Sequence, residues 1–271
     1  MSNLATRAIT GFFFGLVVIG SILFGEIVQS VVFGVFLLLG LLEYARLFKL
    51  TAYKQIPSLT AIFGISIYSI IVLLNKGLLE SSIFYYFIYA LLFLYFLIEL
   101  WRKQDQPIAS LGVFVFGFIY LIVPFVLMNQ LMIEDTNQFP LLIGMILLIW
   151  ANDTFAYLTG RKLGKTPLFE RISPKKTWEG TIGGICFTLL TGFLIYYFSE
   201  TYSLLFWFVA ACIVAPAAIY GDLLESLFKR SLHIKDSGNI LPGHGGILDR
   251  FDAVLFTVPF FYLWHLIFND L

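Results

Sequence analysis

Apolar residues run along most of this chain in long stretches, separated by short polar breaks. Nine such stretches stand out, with soft edges: Ile9 to Phe24, Ile27 to Phe48, Pro57 to Leu74, Ser82 to Leu100, Ile108 to Met128, Pro140 to Tyr157, Gly180 to Phe198, Leu204 to Leu224 and Leu248 to Phe268. Each approaches the roughly 20 residues that a helix needs to cross the hydrocarbon core of a bilayer. Backbone groups in lipid must bond within their own segment or close a barrel, and runs this continuous lack the alternation of barrel strands. The pattern therefore predicts an all-α polytopic membrane protein, a bundle of about nine transmembrane helices.

Composition agrees, since 59% of the residues are hydrophobic and only 13% charged, far from the averages of a water-soluble domain. Arg7 precedes the first run, but no small-x-small cleavage site follows it cleanly, so the run is read as a retained span and not a signal peptide. The net charge is zero, yet the basic residues are placed unevenly. With the N-terminus in the cytoplasm, alternate loops put Arg7, Arg46, Lys49, Lys54, Arg102, Lys103, Arg161, Lys162, Lys165, Arg171, Lys175, Lys176, Lys229, Arg230, Lys235 and Arg250 on the inner side. Of the 17 Lys and Arg residues only Lys76 is then outside, which is the asymmetry that orients membrane proteins. The C-terminus is expected outside. Cys186 and Cys212 fall inside apolar runs and are read as packing residues, not as a disulfide.

There is no low-complexity tract, long linker or clear internal repeat, so one membrane domain with two unequal parts is expected: residues 1–138, about five spans with ordinary loops, and residues 139–271, about four spans with two long inner loops. Those loops, Gly160 to Glu179 and Lys229 to Ile247, are rich in Gly, Lys, Arg, Ser and Pro. Such a composition offers close backbone approach and cationic donors to an anionic ligand.

Acidic residues at membrane depth are costly and usually face a polar cavity with a task to perform. Asp153 stands near the inner end of the sixth run. Asp222, Glu225 and Ser226 stand at the inner end of the eighth, where i, i+3, i+4 spacing puts them on one helix face. Asp249 and Asp252 repeat the i, i+3 spacing at the start of the ninth. Hard oxygen donors clustered in this way suit Mg²⁺, which also accepts phosphate oxygens; the plainer reading is interfacial pairing with Lys229, Arg230 or Arg250. Between these acids, Gly243, Gly245 and Gly246 surround His244 and open a helix whose N-terminal amides favour anions. In the earlier loop Arg161, Lys165, Lys175 and Lys176 can neutralise phosphates, and Ser173 and Thr177 add hydroxyl donors; as a bland alternative the loop is an anchor to anionic lipid.

The run from Ser226 to Asp252, Ser-Leu-Phe-Lys-Arg-Ser-Leu-His-Ile-Lys-Asp-Ser-Gly-Asn-Ile-Leu-Pro-Gly-His-Gly-Gly-Ile-Leu-Asp-Arg-Phe-Asp, resembles the signature of the phosphatidate cytidylyltransferase family. The runs Asn152 to Tyr157, Gly160 to Lys165 and Ser173 to Gly180 resemble it too, with Phe155 standing where the pattern has a small residue. The resemblance covers roughly the C-terminal half. It implies transfer of a cytidylyl group from CTP to phosphatidic acid, giving CDP-diacylglycerol and pyrophosphate, with Mg²⁺ and, for this family, room for K⁺ beside it. Carried over residue by residue, it implies metal binding at Asp222 and Asp249, and active-site roles for Ser226, Lys229, Arg230, Lys235, Asp236, His244, Arg250 and Asp252. It further implies a bacterial inner membrane with the site facing the cytoplasm; no nucleic-acid partner is expected, and a homodimer is compatible with the chain. A CTP-using lipid kinase would share spans and carboxylates but move the γ-phosphoryl group. A transporter would gather its charges at the midplane, and a CDP-alcohol phosphotransferase would carry an Asp-rich helix motif that this chain lacks.

Overall fold

The protein is described by a computed structural model covering residues 3–48, 55–79, 81–134, 139–234, 236–238, 240 and 245–270. Lys235 and His244, two of the expected site residues, lie outside the described residues. The helices are α1 (Asn3–Leu23), α2 (Glu26–Leu47), α3 (Pro57–Asn75), α4 (Ser81–Trp101), α5 (Pro107–Gly117), α6 (Val123–Glu134), α7 (Leu141–Leu163), α8 (Trp178–Ser199), α9 (Leu204–Ser231) and α10 (Leu248–Asp270). A π-helical turn, Phe118–Ile122, joins α5 to α6, so Pro107–Glu134 is one span of 28 residues. Pro124 stands two residues past that turn; it has no amide to donate and its ring crowds the carbonyl four residues back, that of Tyr120 within the turn, which an α ladder cannot absorb unchanged.

Among the described residues eight helices are long and apolar enough to cross a membrane, and a shorter apolar helix spans Ile9–Leu23. The nine expected runs therefore appear as nine helical segments, and the all-α membrane fold stands. Large apolar side chains such as Phe12, Ile27, Tyr86, Leu97, Phe198 and Leu263 face outward, an arrangement that only a lipid solvent rewards. Several runs extend past their expected ends. Arg161 and Lys162 close the last turn of α7, and Lys229 and Arg230 close that of α9, where cations meet the negative end of the helix dipole. Cys186 and Cys212 correct the expectation of interior packing: both are exposed on their helices.

The chain forms two compact units, and their boundary differs from the expected division at residue 138. The first comprises Met1–Glu134 with Asp236–Arg250; the second comprises Asp135–Lys235 with Phe251–Leu271. In the first, α2 buries Phe33, Leu37, Leu41 and Tyr44, and the Tyr44 hydroxyl donates to the Val113 carbonyl at 2.7 Å. Phe63, Tyr95 and Phe114 form a further cluster, beside which Tyr95 donates to Gln55 at 2.7 Å and Gln55 to the Ser110 carbonyl at 2.9 Å. In the second unit α9 buries Phe206, Trp207, Ala210, Ala211 and Val214. Gly144 and Gly192 let neighbouring helices close on Trp207, the small-residue packing that membrane helices use.

Candidate active site

In the second unit the loop after α7 is not irregular. It folds as a two-stranded antiparallel hairpin, β1 (Pro167–Phe169) and β2 (Ser173–Thr177), with Phe169 opposite Ser173 and Pro167 opposite Thr177. Glu179, in the first turn of α8, accepts the amides of Lys165 and Thr166 at 3.1 and 3.2 Å and the Thr166 hydroxyl at 3.0 Å. The Trp178 amide donates to the Thr166 carbonyl at 2.9 Å, so the hairpin is clasped to the start of α8. Thr177 is the N-cap of that helix, its hydroxyl oxygen accepting the Gly180 amide at 3.2 Å. That gives Thr177 a local task the sequence reading had not assigned it, since the first helical amides lack partners of their own.

Strand alternation then separates the two hairpin lysines. Lys175 is exposed, whereas Lys176 is half-buried and its ammonium lies 2.6 Å from Asp222 Oδ2. Asp222 stands on α9 with Glu225 and Ser226, and the Ser226 hydroxyl donates to Asp222 Oδ1 at 3.3 Å. Glu225 is 3% exposed and ion-paired with Lys229 one turn on. Asp252, from α10, completes the group: carboxylate oxygens of Asp222, Glu225 and Asp252 all lie within 4.8 Å of one another. Asp252 also accepts the Ala253 amide at 2.8 Å and stands in the negative field of Asp222, Glu225 and, from α7, Asp153.

Gly221 makes this convergence possible. A Cβ there would lie 2.8 Å from the Asp252 carbonyl oxygen, 2.9 Å from Phe256 Cβ and 3.0 Å from Ala253 Cα. Only a residue without a side chain lets α9 touch the α10 backbone at this point, one residue before Asp222. Three carboxylates so close repel strongly unless cations neutralise them, and Lys176 and Lys229 supply two. The set consists of hard oxygen donors, which fits Mg²⁺.

In the first unit Asp249 has other partners. Its Oδ2 accepts the Ser237 amide at 3.0 Å, the Ser237 hydroxyl at 2.9 Å and the Gly246 amide at 2.8 Å. Glu43, from α2, accepts the Ser237 hydroxyl and, at 2.7 Å, the Ile247 amide. The sequence reading expected the amides around Gly245 and Gly246 to cradle substrate phosphate. Those of Gly246 and Ile247 are instead committed to the chain's own carboxylates. Gly245 has φ of 81°, a left-handed conformation that glycine adopts freely, and a Cβ there would overlap the Asp249 carboxylate.

Asp222 is thus gathered with Glu225, Asp252, Ser226, Lys176 and, through Glu225, Lys229. Arg161, Lys165, Lys175, Arg230, Asp236 and Arg250 are exposed, and Ser173 is half-buried; the Arg230 guanidinium donates to the Ile234 carbonyl at 3.2 Å. Phe155 stacks on Phe187, with ring centres 3.7 Å apart, so α8 accommodates it with a flat aromatic partner. Glu225 was legible from its spacing on the acidic face of α9, whereas Glu43 is what sequence reasoning missed. An available signal was an acid within an apolar run, which Glu43 is in the stretch Ile27 to Phe48.

A model of the cytidylyltransferase family matches residues 5–268. Phosphatidate cytidylyltransferase of Rickettsia prowazekii is 36% identical over 219 residues, covering 77% of this chain and 92% of its own length. The phosphatidate cytidylyltransferase of Aquifex aeolicus is 39% identical over 173 residues, 64% of this chain and 62% of its own. That of Staphylococcus haemolyticus is 46% identical over 115 residues, 42% and 44% of the two chains. With nearly its whole length matched, the chain belongs to the cytidylyltransferase family.

Proposed function

We propose that this protein catalyses the reaction of CTP with phosphatidate to give CDP-diacylglycerol and pyrophosphate, at the cytoplasmic face of a bacterial inner membrane. The observation that carries the reading is the convergence of Asp222, Glu225 and Asp252 beside Lys176 and Lys229 in a chain of this family. The orientation rests on the basic residues, of which all but Lys76 fall on one side.

A phosphate monoester has a second pKa of about 6, so phosphatidate attacks the α-phosphorus of CTP with little need of a general base. What the reaction demands is charge neutralisation and in-line placement of two anions. Asp222, with Glu225 and Asp252 around it and Asp249 as the family pattern adds, would hold Mg²⁺. When bound, that ion supplies Lewis-acid neutralisation of phosphate charge. Lys176 and Lys229, now paired with acids, are placed to exchange those partners for phosphate oxygens. Lys175, Arg230 and Arg250, exposed on the same segments, add cationic donors for the second anion. K⁺ remains a further candidate ion for the acidic group.

The test is turnover of the purified protein with radiolabelled CTP and phosphatidate, following both products. CDP-diacylglycerol and pyrophosphate in equal amounts support the reading; CDP with a phosphorylated lipid would replace it by γ-phosphoryl transfer. Asp222→Asn keeps the size of the side chain and removes its charge. Loss of one such electrostatic contact costs on the order of 10² to 10³ in rate, in part recovered by raised Mg²⁺. A monodisperse Asp222→Asn protein with near-normal turnover would remove Asp222 from the metal site.

A further inference from the structure

Glu43 is left without a role by the chemistry above, and its surroundings assign one. It is 3% exposed, and a carboxylate withdrawn so far from water is costly unless its oxygens are paired. Both oxygens are engaged, and both by the glycine-rich segment that precedes α10. The Ser237 hydroxyl donates to Oε1, and the Ile247 amide donates to Oε2 at 2.7 Å. These partners lie 194 and 204 residues further along the chain.

The segment is also shaped to admit this side chain. A Cβ at Gly238 would lie 2.9 Å from Glu43 Cδ, and one at Gly246 would overlap the Glu43 carboxylate. These two glycines make room for Glu43, which is a different reason for their presence from close approach to a phosphate. Ser237 in turn donates its amide to Asp249 Oδ2 at 3.0 Å, its single hydroxyl proton being shared between Glu43 and that same oxygen 2.9 Å away, and the Gly246 amide reaches the oxygen at 2.8 Å. Glu43 therefore fixes the residues that orient Asp249. Groups that hold a carboxylate in place behind a reacting centre commonly matter nearly as much as the carboxylate itself.

We propose that Glu43 is a positioning residue for cytidylyl transfer: its buried carboxylate clamps Ser237 and the Ile247 amide, and through Ser237 sets the orientation of Asp249. The inference rests on the reading of the protein as a cytidylyltransferase that uses Asp249. It gives the N-terminal helices a part in the reaction that their sequence does not advertise.

The test uses the full-length protein in detergent, with Glu43→Gln, Glu43→Ala and Asp249→Asn alone and Glu43→Gln combined with Asp249→Asn. Glu43→Gln is expected to lower kcat about 10- to 100-fold and to raise the Mg²⁺ concentration for half activity by a similar factor, with KM for phosphatidate and the melting temperature little changed. Added to Asp249→Asn, it is expected to cost nothing further, because its effect passes through that carboxylate. Amide hydrogen exchange without substrate gives a readout independent of turnover: peptides containing Gly246 and Ile247 are expected to exchange at least tenfold faster in Glu43→Gln than in the wild type. Wild-type exchange and kcat in Glu43→Gln would overturn the proposal, as would rate losses that multiply in the double variant. Should Glu43→Ala fail to fold, the glutamine variant still decides. A wild-type protein that forms no CDP-diacylglycerol would sink the functional reading instead, and the exchange measurement would then decide the clamp by itself.

Discussion

Replacing Gly221 by alanine adds one methyl group at the point where α9 meets α10, and the structure lets its effect be worked out. The new Cβ would stand 2.8 Å from the Asp252 carbonyl oxygen, 2.9 Å from Phe256 Cβ and 3.0 Å from Ala253 Cα. Optimal carbon contacts are about 3.5–4.0 Å, so relief requires the helices to separate locally by roughly 0.5–1 Å. Two of the three clashing atoms are backbone atoms, which cannot turn aside as a side-chain tip can. Overpacking of this kind costs about 1–3 kcal/mol. Its greater effect falls on the carboxylates, because Asp222 follows Gly221 directly and Asp252 is one of the residues pushed away. Their oxygens now lie within 4.8 Å of each other and of Glu225, and a misplacement of about 1 Å at a reacting centre costs on the order of 10² in rate. Gly221→Ala is therefore expected to retain a monodisperse fold with a lowered melting temperature, and to lose between about 10- and 100-fold in kcat. Gly112→Ala is the matched control: it makes the same chemical change inside a helix where a Cβ would meet nothing within 4 Å. It is expected to keep full turnover and to gain about 0.5–1 kcal/mol of helix stability. Turnover of labelled CTP and thermal melts of both variants settle the matter. Gly221→Ala with the turnover and melting temperature of Gly112→Ala would refute the claim that this glycine brings the acids together.

Two further substitutions separate the tasks of the hairpin. Lys176→Ala removes the ammonium 2.6 Å from Asp222 and is expected to raise the apparent KM for CTP with membrane insertion unaltered; unchanged CTP kinetics would return the loop to a lipid-anchoring role. Thr177→Ala removes the cap of α8 and is expected to cost about 1 kcal/mol of stability, read as a lower melting temperature. A larger loss of turnover than of stability in Thr177→Ala would show that the hydroxyl also serves substrate.

The two carboxylate sites differ in how far sequence could reach them. Asp222, Glu225 and Ser226 share a helix face by spacing alone, because the α-helix brings i, i+3 and i+4 together wherever it forms. The hairpin was less accessible: Gly, Pro and Lys announce a loop, but the pairing of Phe169 with Ser173 and the clasp from Glu179 depend on contacts formed after α7 and α8 have met. The same holds for Gly245 and Gly246. Their flexibility is written in the sequence, whereas the carboxylates that fill the space beside them come from Asp249 and Glu43. Phe155 tells a similar story, since its fit depends on Phe187 in the next helix.

The sequence by itself determined the solvent, the spans and the family. Whether a stretch of about 20 residues belongs in lipid depends on a sum over its own side chains, and the run from Ser226 to Asp252 is long enough to recognise without coordinates. Only the tertiary structure decided which acids meet, because that depends on how closely two backbones can approach. Gly221 admits Asp252 to the group around Asp222, and Gly246 admits Glu43 to the segment before α10, each by lacking one carbon atom at a contact that no local pattern specifies.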